Sequence, residues 1–443
     1  MPSRAEEPER GQEEVSSGND KNEIVSRSPH SLLKYNSSLV RQRLHYRSKS
    51  VGKKGRVLLV NDQESVLELM EQILMVNGYE VRSTCRQPDA IGIAKTFEPQ
   101  VVMLGLTMPV TLGSKLFALP SVSKIVLFGE VDESEDLERR RDYYDFDLLP
   151  TPFDAERLLN NMRSWVAEAW TREGLNVAAT GRDLEALQFY EKALTIDPRN
   201  EHAWFHKGAS FYDLGGNGDI SDRVGRFEQA IFCFECALAI SPDHVSGWLW
   251  RGRALHQRGR YEEALLCYDK VFKIDRPTWT ASARAYFYSD VCNSKGTSLY
   301  QMRRYQESIE CYEKAIALDE FAAAWYNKGN SLREITNFGE AIRCYDRAIE
   351  LDPDHARTWN NKGVCLTKMG RLEEALVCHE RAVMCNPPEV LGWYNKAFIQ
   401  DDLERIEDAI NSYEKYLPVA PADQSDNVKH AQERVQHLKS RSY

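Results

Sequence analysis

The sequence predicts a multidomain chain: an α/β domain with a doubly wound, five-stranded parallel sheet, followed by an all-α solenoid. Two observations predict it. Between Arg56 and Val166 five short apolar runs alternate with amphipathic stretches, the pattern of a parallel sheet whose crossovers are helices. From about Trp165 onward the strand-like runs stop and a phrase of 34 residues recurs seven times, as stacked helix–turn–helix units require. Composition sets the bounds. The 443 residues are 42% hydrophobic, enough for more than one core. No run of about 18 apolar residues occurs, so no transmembrane helix is expected. The first residues, MPSRAEEPERG, lack an apolar core, which points away from a secretory signal and toward the cytoplasm. Ten Cys are too sparse for a disulfide scaffold.

Residues 1–54 form the first segment, and they are expected to be disordered. Ser, Glu, Arg and Lys dominate, and such a stretch buries too little apolar surface to offset its ordering entropy. From Ile24 to Lys54 it carries eight Lys or Arg and no acid. This basic half suits a solvated linker first and a phosphate backbone second.

Residues 55–166 form the second segment. RVLLV is a strand, SVLELMEQILMVNG a helix stopped by Gly78, YEVRSTC a strand, PDAIGIAKTF a helix and QVVMLGL a strand. SKLFALP (helix), KIVLFGE (strand), ESEDLERRRDY (helix), FDLLPTPF (strand and loop) and DAERLLNNMRSWV (helix) complete the set. In sheets of this kind function sits at the carboxyl ends of the strands.

Residues 167–423 hold the seven repeats, starting near Ala167, Glu201, Val245, Ser289, Ala322, Ala356 and Val390. On a common frame Trp stands at position 4, Gly or Ala at 8, Ala at 20, an aromatic at 24 and Pro at 32. Two ten-residue insertions interrupt the period, GNGDISDRVG and TWTASARAYF. The first matches a calcium loop only in part, at Asp213, Asn217, Gly218 and Ile220. Gly215 and Val224 stand where oxygen ligands belong, so a flexible loop is expected. The Trp stripe and the Cys that precede position 24 read as packing rather than chemistry. Residues 424–443 are polar and suit the capping helix of an open-ended stack.

On these residues the repeats resemble the tetratricopeptide family, and residues 56–166 resemble the receiver domain of response regulators. The second resemblance rests on VLLVND, on LTMP after the third strand and on LLPTPF. It implies an acidic pair after the first strand, an Asp four residues before Pro109, a Ser or Thr after the fourth strand and a Lys before Pro152. Metal and Lys would neutralise oxygen charge around a carboxylate nucleophile. This chain has Asn61 and Asp62 for the pair, Gly105 for the nucleophile, Phe128 or Gly129 for the hydroxyl and Thr151 for the Lys. A pseudo-receiver that binds rather than reacts is therefore expected. Arg139, Arg140 and Arg141 with Tyr143 and Tyr144 offer residue types enriched at interfaces, for a second protein partner.

The tetratricopeptide resemblance implies a concave face lined by first-helix positions 2, 5, 9, 12 and 13. Tyr326, Asn330, Arg333, Arg357, Asn360, Lys368 and Tyr394 fall there. Guanidinium and amide groups on a rigid groove suit an extended peptide with carboxylates. No phosphate loop, metal cluster or nucleophile motif is present in the sequence. The expected function is a non-enzymatic scaffold or adaptor with a protein partner in the groove and no cofactor or metal. The alternative is a response-regulator-like controller that binds nucleic acid through the basic arm.

Overall fold

The computed structural model describes residues 54–129, 140–141, 145–150, 155–217, 220–274, 279–421 and 424–441. The basic arm before Lys54, the arginine–tyrosine segment apart from Arg140 and Arg141, and Thr151 lie outside the described residues.

The first domain is a five-stranded parallel sheet. Its strands are β1 (Arg56–Val60), β2 (Glu80–Thr84), β3 (Val101–Gly105), β4 (Lys124–Gly129) and β5 (Phe146–Pro150), ordered β2-β1-β3-β4-β5. Strand side chains alternate between faces, and both faces are covered. Val57, Leu59, Met103, Val126 and Phe128 pack on one side against α1 (Glu64–Val76) and the start of α4 (Ala155–Ala178). Leu58, Val60, Leu104, Ile125 and Leu127 pack on the other against α2 (Gln87–Phe97) and α3 (Val110–Phe117). Helix α3 begins four residues before the expected SKLF. Pro109 in extended conformation caps it, and proline tolerates that entry because the first helical amides need no partner.

The expected boundary between residues 166 and 167 falls inside a single helix of 24 residues, α4. Its first half closes the sheet with Leu158, Met162, Trp165 and Val166. Its second half, with Gly174 and Val177, packs against α5 (Asp183–Ile196). Polar contacts tie the turn of the helix between them. Trp170 Nε1 donates to the Lys54 carbonyl at 3.2 Å and Arg172 Nη1 to the Ser123 carbonyl at 2.6 Å. Lys124 Nζ lies 3.0 Å from Asp147 and 3.6 Å from Glu168. Sheet and solenoid share an element, so no linker separates them.

The solenoid continues with α6 (Glu201–Asn217), α7 (Ile220–Ile240), α8 (Val245–Gln257), α9 (Tyr261–Val271), α10 (Ala281–Gln301) and α11 (Tyr305–Leu318). Then follow α12 (Ala322–Glu334), α13 (Phe338–Leu351), α14 (Ala356–Lys368), α15 (Leu372–Met384), α16 (Val390–Asp402), α17 (Ile406–Tyr416) and α18 (Ser425–Arg441). The first insertion extends α6 to Asn217 and α7 back to Ile220, so its described residues are helical where a flexible loop is expected, and residues 218–219 lie outside the described residues. The second adds two turns to the start of α10, where Phe287 packs edge-on against Trp279. Helix α18 buries Ala431, Val435 and Leu438 against the last pair, and Arg434 grips Asp401 with two bonds of 2.7 Å.

Two recurring polar devices lock unit to unit. The position-4 Trp donates to the carbonyl of the preceding Pro: Trp204 to Pro198, Trp248 to Pro242 and Trp359 to Pro353, at 2.8–2.9 Å. Where that Pro is replaced, the Glu320 carboxylate accepts from Trp325 at 3.0 Å instead, and Arg347 holds the carboxylate with a two-pronged contact. The second device pairs the position-7 cation with an acid of the preceding second helix. Arg251–Glu235, Lys328–Glu313 and Lys396–Glu380 lie at 2.7–2.9 Å, and Lys207–Glu191, Lys295–Asp269 and Lys362–Asp346 repeat the arrangement.

The turn between the two helices of a unit needs a left-handed residue. Gly259 and Gly370 supply it without cost (φ 72° and 74°), whereas Thr336 adopts φ 62°. A β-branched residue is strained there. Thr336→Gly is expected to raise the stability of the solenoid by about 1 kcal/mol, read as a higher urea midpoint at unchanged slope.

Candidate functional site

The first-helix face of the last units carries the expected groove residues, and their environments divide them. Asn327, Asn361 and Asn395 reach back to the preceding first helix. Asn327 Nδ2 donates to Asn293 Oδ1 at 3.0 Å, Asn361 to Asn330 at 2.9 Å and Asn395 to Asn360 at 2.9 Å. Asn330 Oδ1 also accepts from the Tyr345 hydroxyl at 2.9 Å. Asn360 is buried, against the expectation that it lines the groove. Its Oδ1 lies 3.0 Å from His379 Nδ1. An amide oxygen only accepts, so that ring nitrogen carries the hydrogen. Burial pushes this imidazole down to about 4.

The charged groups behave differently. Arg333 is half-buried and bonds Glu334 at 2.8 Å, while Glu334 also accepts from the Tyr300 hydroxyl at 3.4 Å. Arg357 is 76% exposed and only 3.6 Å from Glu389 at best. Lys368 is exposed at the end of α14. Tyr326 packs edge-on against His355, and Tyr394 bonds His430 of the capping helix at 3.1 Å. Arg357 and Lys368 are thus the cations available to a ligand, flanked by half-buried tyrosines. Arg333 and Asn360 hold the scaffold.

A second constellation sits at the carboxyl ends of β1 and β3, beside the point where strand order reverses. Asn61 is buried there, and its backbone amide donates to the Thr84 carbonyl at 3.3 Å. A Cβ placed on Gly105 would lie 2.8 Å from Asn61 Oδ1. The asparagine side chain therefore occupies the space that a side chain at 105 would need. Asp62 and Glu64 are exposed beside it. Phe128 is buried in the core on the α1 side of the sheet. Arg140 is also buried, and one guanidinium nitrogen donates to the carbonyls of Leu106 at 3.0 Å and Met108 at 2.9 Å. It fastens the loop after β3 and is not the exposed interface residue expected of it.

A response regulator receiver domain model matches residues 57–163. Tetratricopeptide repeat models match 217–275, 289–321, 322–355, 344–377 and 392–423. The chain thus carries tetratricopeptide repeats and, before them, a response regulator receiver domain. A protein prenyltransferase alpha subunit repeat model also matches residues 183–211. Response regulator MprA of Mycobacterium sp. strains KMS and JLS is 29% identical over 147 residues, 32% of this chain. The chain spans 60% of the length of those relatives. Among solved structures, YrrB, described as a TPR protein with an unusual peptide-binding site, is 22% identical. The likeness covers 45% of this chain and 97% of YrrB with a TM-score of 0.36. PilF of Pseudomonas aeruginosa is 18% identical over 54% of this chain and 99% of its own, with a TM-score of 0.43.

In receiver terms, Gly105 stands at the phosphoacceptor position that the resemblance implies, with Asn61 packed over it. The recurring phrase WYNKG contains both the position-6 asparagines and the position-7 cations, but nothing in it marks them as contacts between units. Periodicity marks them as repeat features, but only the fold shows that each reaches across to the preceding unit. Among the described residues no helix is long and apolar enough to cross a membrane.

Proposed function

We propose that this protein is a non-enzymatic adaptor whose solenoid holds an extended peptide, and whose receiver domain is not phosphorylated on Asp. The observation that carries the second half is the packing at β3. Phosphoryl transfer to a receiver needs a carboxylate nucleophile, and the residue here is glycine with Asn61 filling the space above it. The first half rests on the first-helix face of α12 to α16. Asn330 and Asn361 fix its shape, and Arg357 and Lys368 leave two cations facing solvent. A peptide with acidic side chains fits that combination, because guanidinium and ammonium groups form charge-assisted hydrogen bonds to carboxylates. The shared helix α4 adds a consequence: a protein bound to the receiver is held at a fixed position relative to one bound in the groove.

Acidic and neutral peptides displayed against the full chain test the groove. The double variant Arg357→Glu/Lys368→Glu is expected to weaken capture of acidic sequences by about tenfold, one decade per 1.4 kcal/mol, without lowering the thermal midpoint. Capture that is equal for acidic and neutral peptides, and insensitive to the two changes, would place the partner elsewhere.

A further inference from the structure

Helix α1 leaves a face uncovered. Leu69 is 60% exposed, Met75 54% and Val76 87%, while Leu67, Met70 and Leu74 on the opposite side are buried in the sheet core. Residues 69, 72 and 76 follow the three- and four-residue spacing of one helical stripe, and Gln72 between them is exposed. The same helix contains Glu64, Glu68 and Glu71 and no Lys or Arg. Glu71 accepts from the Ser83 hydroxyl at 2.7 Å. Glu64 and Glu68 are exposed, and among the described residues neither has an ion-pair partner. The uncovered face is therefore apolar along one edge and acidic along the other.

We propose that this face is a docking surface for the chain's own basic segment, residues 37–53. Three observations argue for that occupant. Its charge is complementary: from Ile24 to Lys54 there are eight basic residues and no acid. Its composition matches the face, since Leu39, Val40, Leu44 and Tyr46 are interleaved with Arg41, Arg43 and Arg47. Its point of attachment is adjacent. The Lys54 amide donates to the Gly78 carbonyl at 3.0 Å and its ammonium lies 5.5 Å from the Tyr79 ring centre, so the segment leaves the domain beside the Val76 end of α1. Ten residues of chain back from Lys54 reach about 33 Å, more than the roughly 20 Å length of a helix of this size. A tether this short gives a millimolar effective concentration, which favours this segment over a free peptide of the same composition. Docking covers the apolar stripe and sets arginines against Glu64 and Glu68.

Site-directed photocrosslinking on the full chain tests the proposal. With Gln72→benzoylphenylalanine, irradiation is expected to give a crosslink within one chain, mapping by mass spectrometry to residues 37–53. The exposed pair Glu64→Lys/Glu68→Lys is expected to lower its yield about fivefold, and added salt to do the same because exposed charges are screened. The thermal midpoint should stay put. Crosslinks that map only to other segments or to a second copy, or a yield indifferent to charge reversal and salt, would overturn it.

Discussion

Gly329→Val is expected to destabilise the solenoid by about 3 kcal/mol, the upper end of what overpacking a close contact costs. The two helices of each unit meet where the position-8 residue faces the position-24 ring. A Cβ at Gly329 would lie 2.5 Å from a ring carbon of Tyr345, and the same close approach recurs at Gly252 with Tyr268 and at Gly296 with Tyr312. The Tyr345 ring has no room to yield: it is fully buried, its hydroxyl is bonded to Asn330, and Tyr326 packs beside it. Only the helices can move apart, which opens the contacts that Cys344 and Leu332 make in the same cluster. Repeat stacks transmit such a loss mainly to neighbouring units. Hydrogen exchange should therefore quicken in α12 to α15 while β1 to β5 stay protected. An unchanged denaturation midpoint would contradict this reading of the helix contact.

Acidification from pH 6.5 toward 4 is expected to weaken the same solenoid. His379 stands where other units place Tyr or Phe, and it is buried with its ring against Gly363. Burial holds its pKa at about 4 against an ordinary 6.5. The unfolded chain then binds more protons between those two values, so stability is complete above pH 6.5 and declines as pH falls toward 4. One such group accounts for up to about 3 kcal/mol. His206, lowered to about 4 by burial and by His202 and His244, acts with the same sign in α6. His379→Phe should flatten the acid limb of the stability curve and leave the neutral plateau little changed, because Asn360 keeps its bond from Asn395. A curve identical to that of the parent protein would remove His379 from the account.

Much of the architecture was legible because period and punctuation are local. The apolar runs that became β1 to β5, and the Trp and Gly that place α6 to α17, can be read residue by residue. Contacts between elements could not. RSWVAEAW looks like the end of one domain and the start of another, yet both halves suit one continuous helix, and only packing shows that sheet and solenoid share it. The three adjacent arginines look alike in sequence, but Arg140 is turned inward to the Leu106 and Met108 carbonyls. Asn360 satisfies the positional rule for a groove residue and is still buried, since His379 and Asn395 converge on its oxygen. At the strand ends the sequence already shows Gly105 where the receiver resemblance implies an Asp. It does not show the asparagine packed above it, because residues 61 and 105 meet only when β1 and β3 pair.

Incorporation of phosphate into the intact chain, with acetyl phosphate and Mg²⁺, tests the adaptor account most directly. We expect no stoichiometric base-labile label on the parent protein. We expect none on Gly105→Asp either, because the restored carboxylate would still lack the hydroxyl that Phe128 or Gly129 replaces and the Lys that Thr151 replaces. A stoichiometric label on residues 57–163 of the parent protein would contradict the account and make this a working receiver.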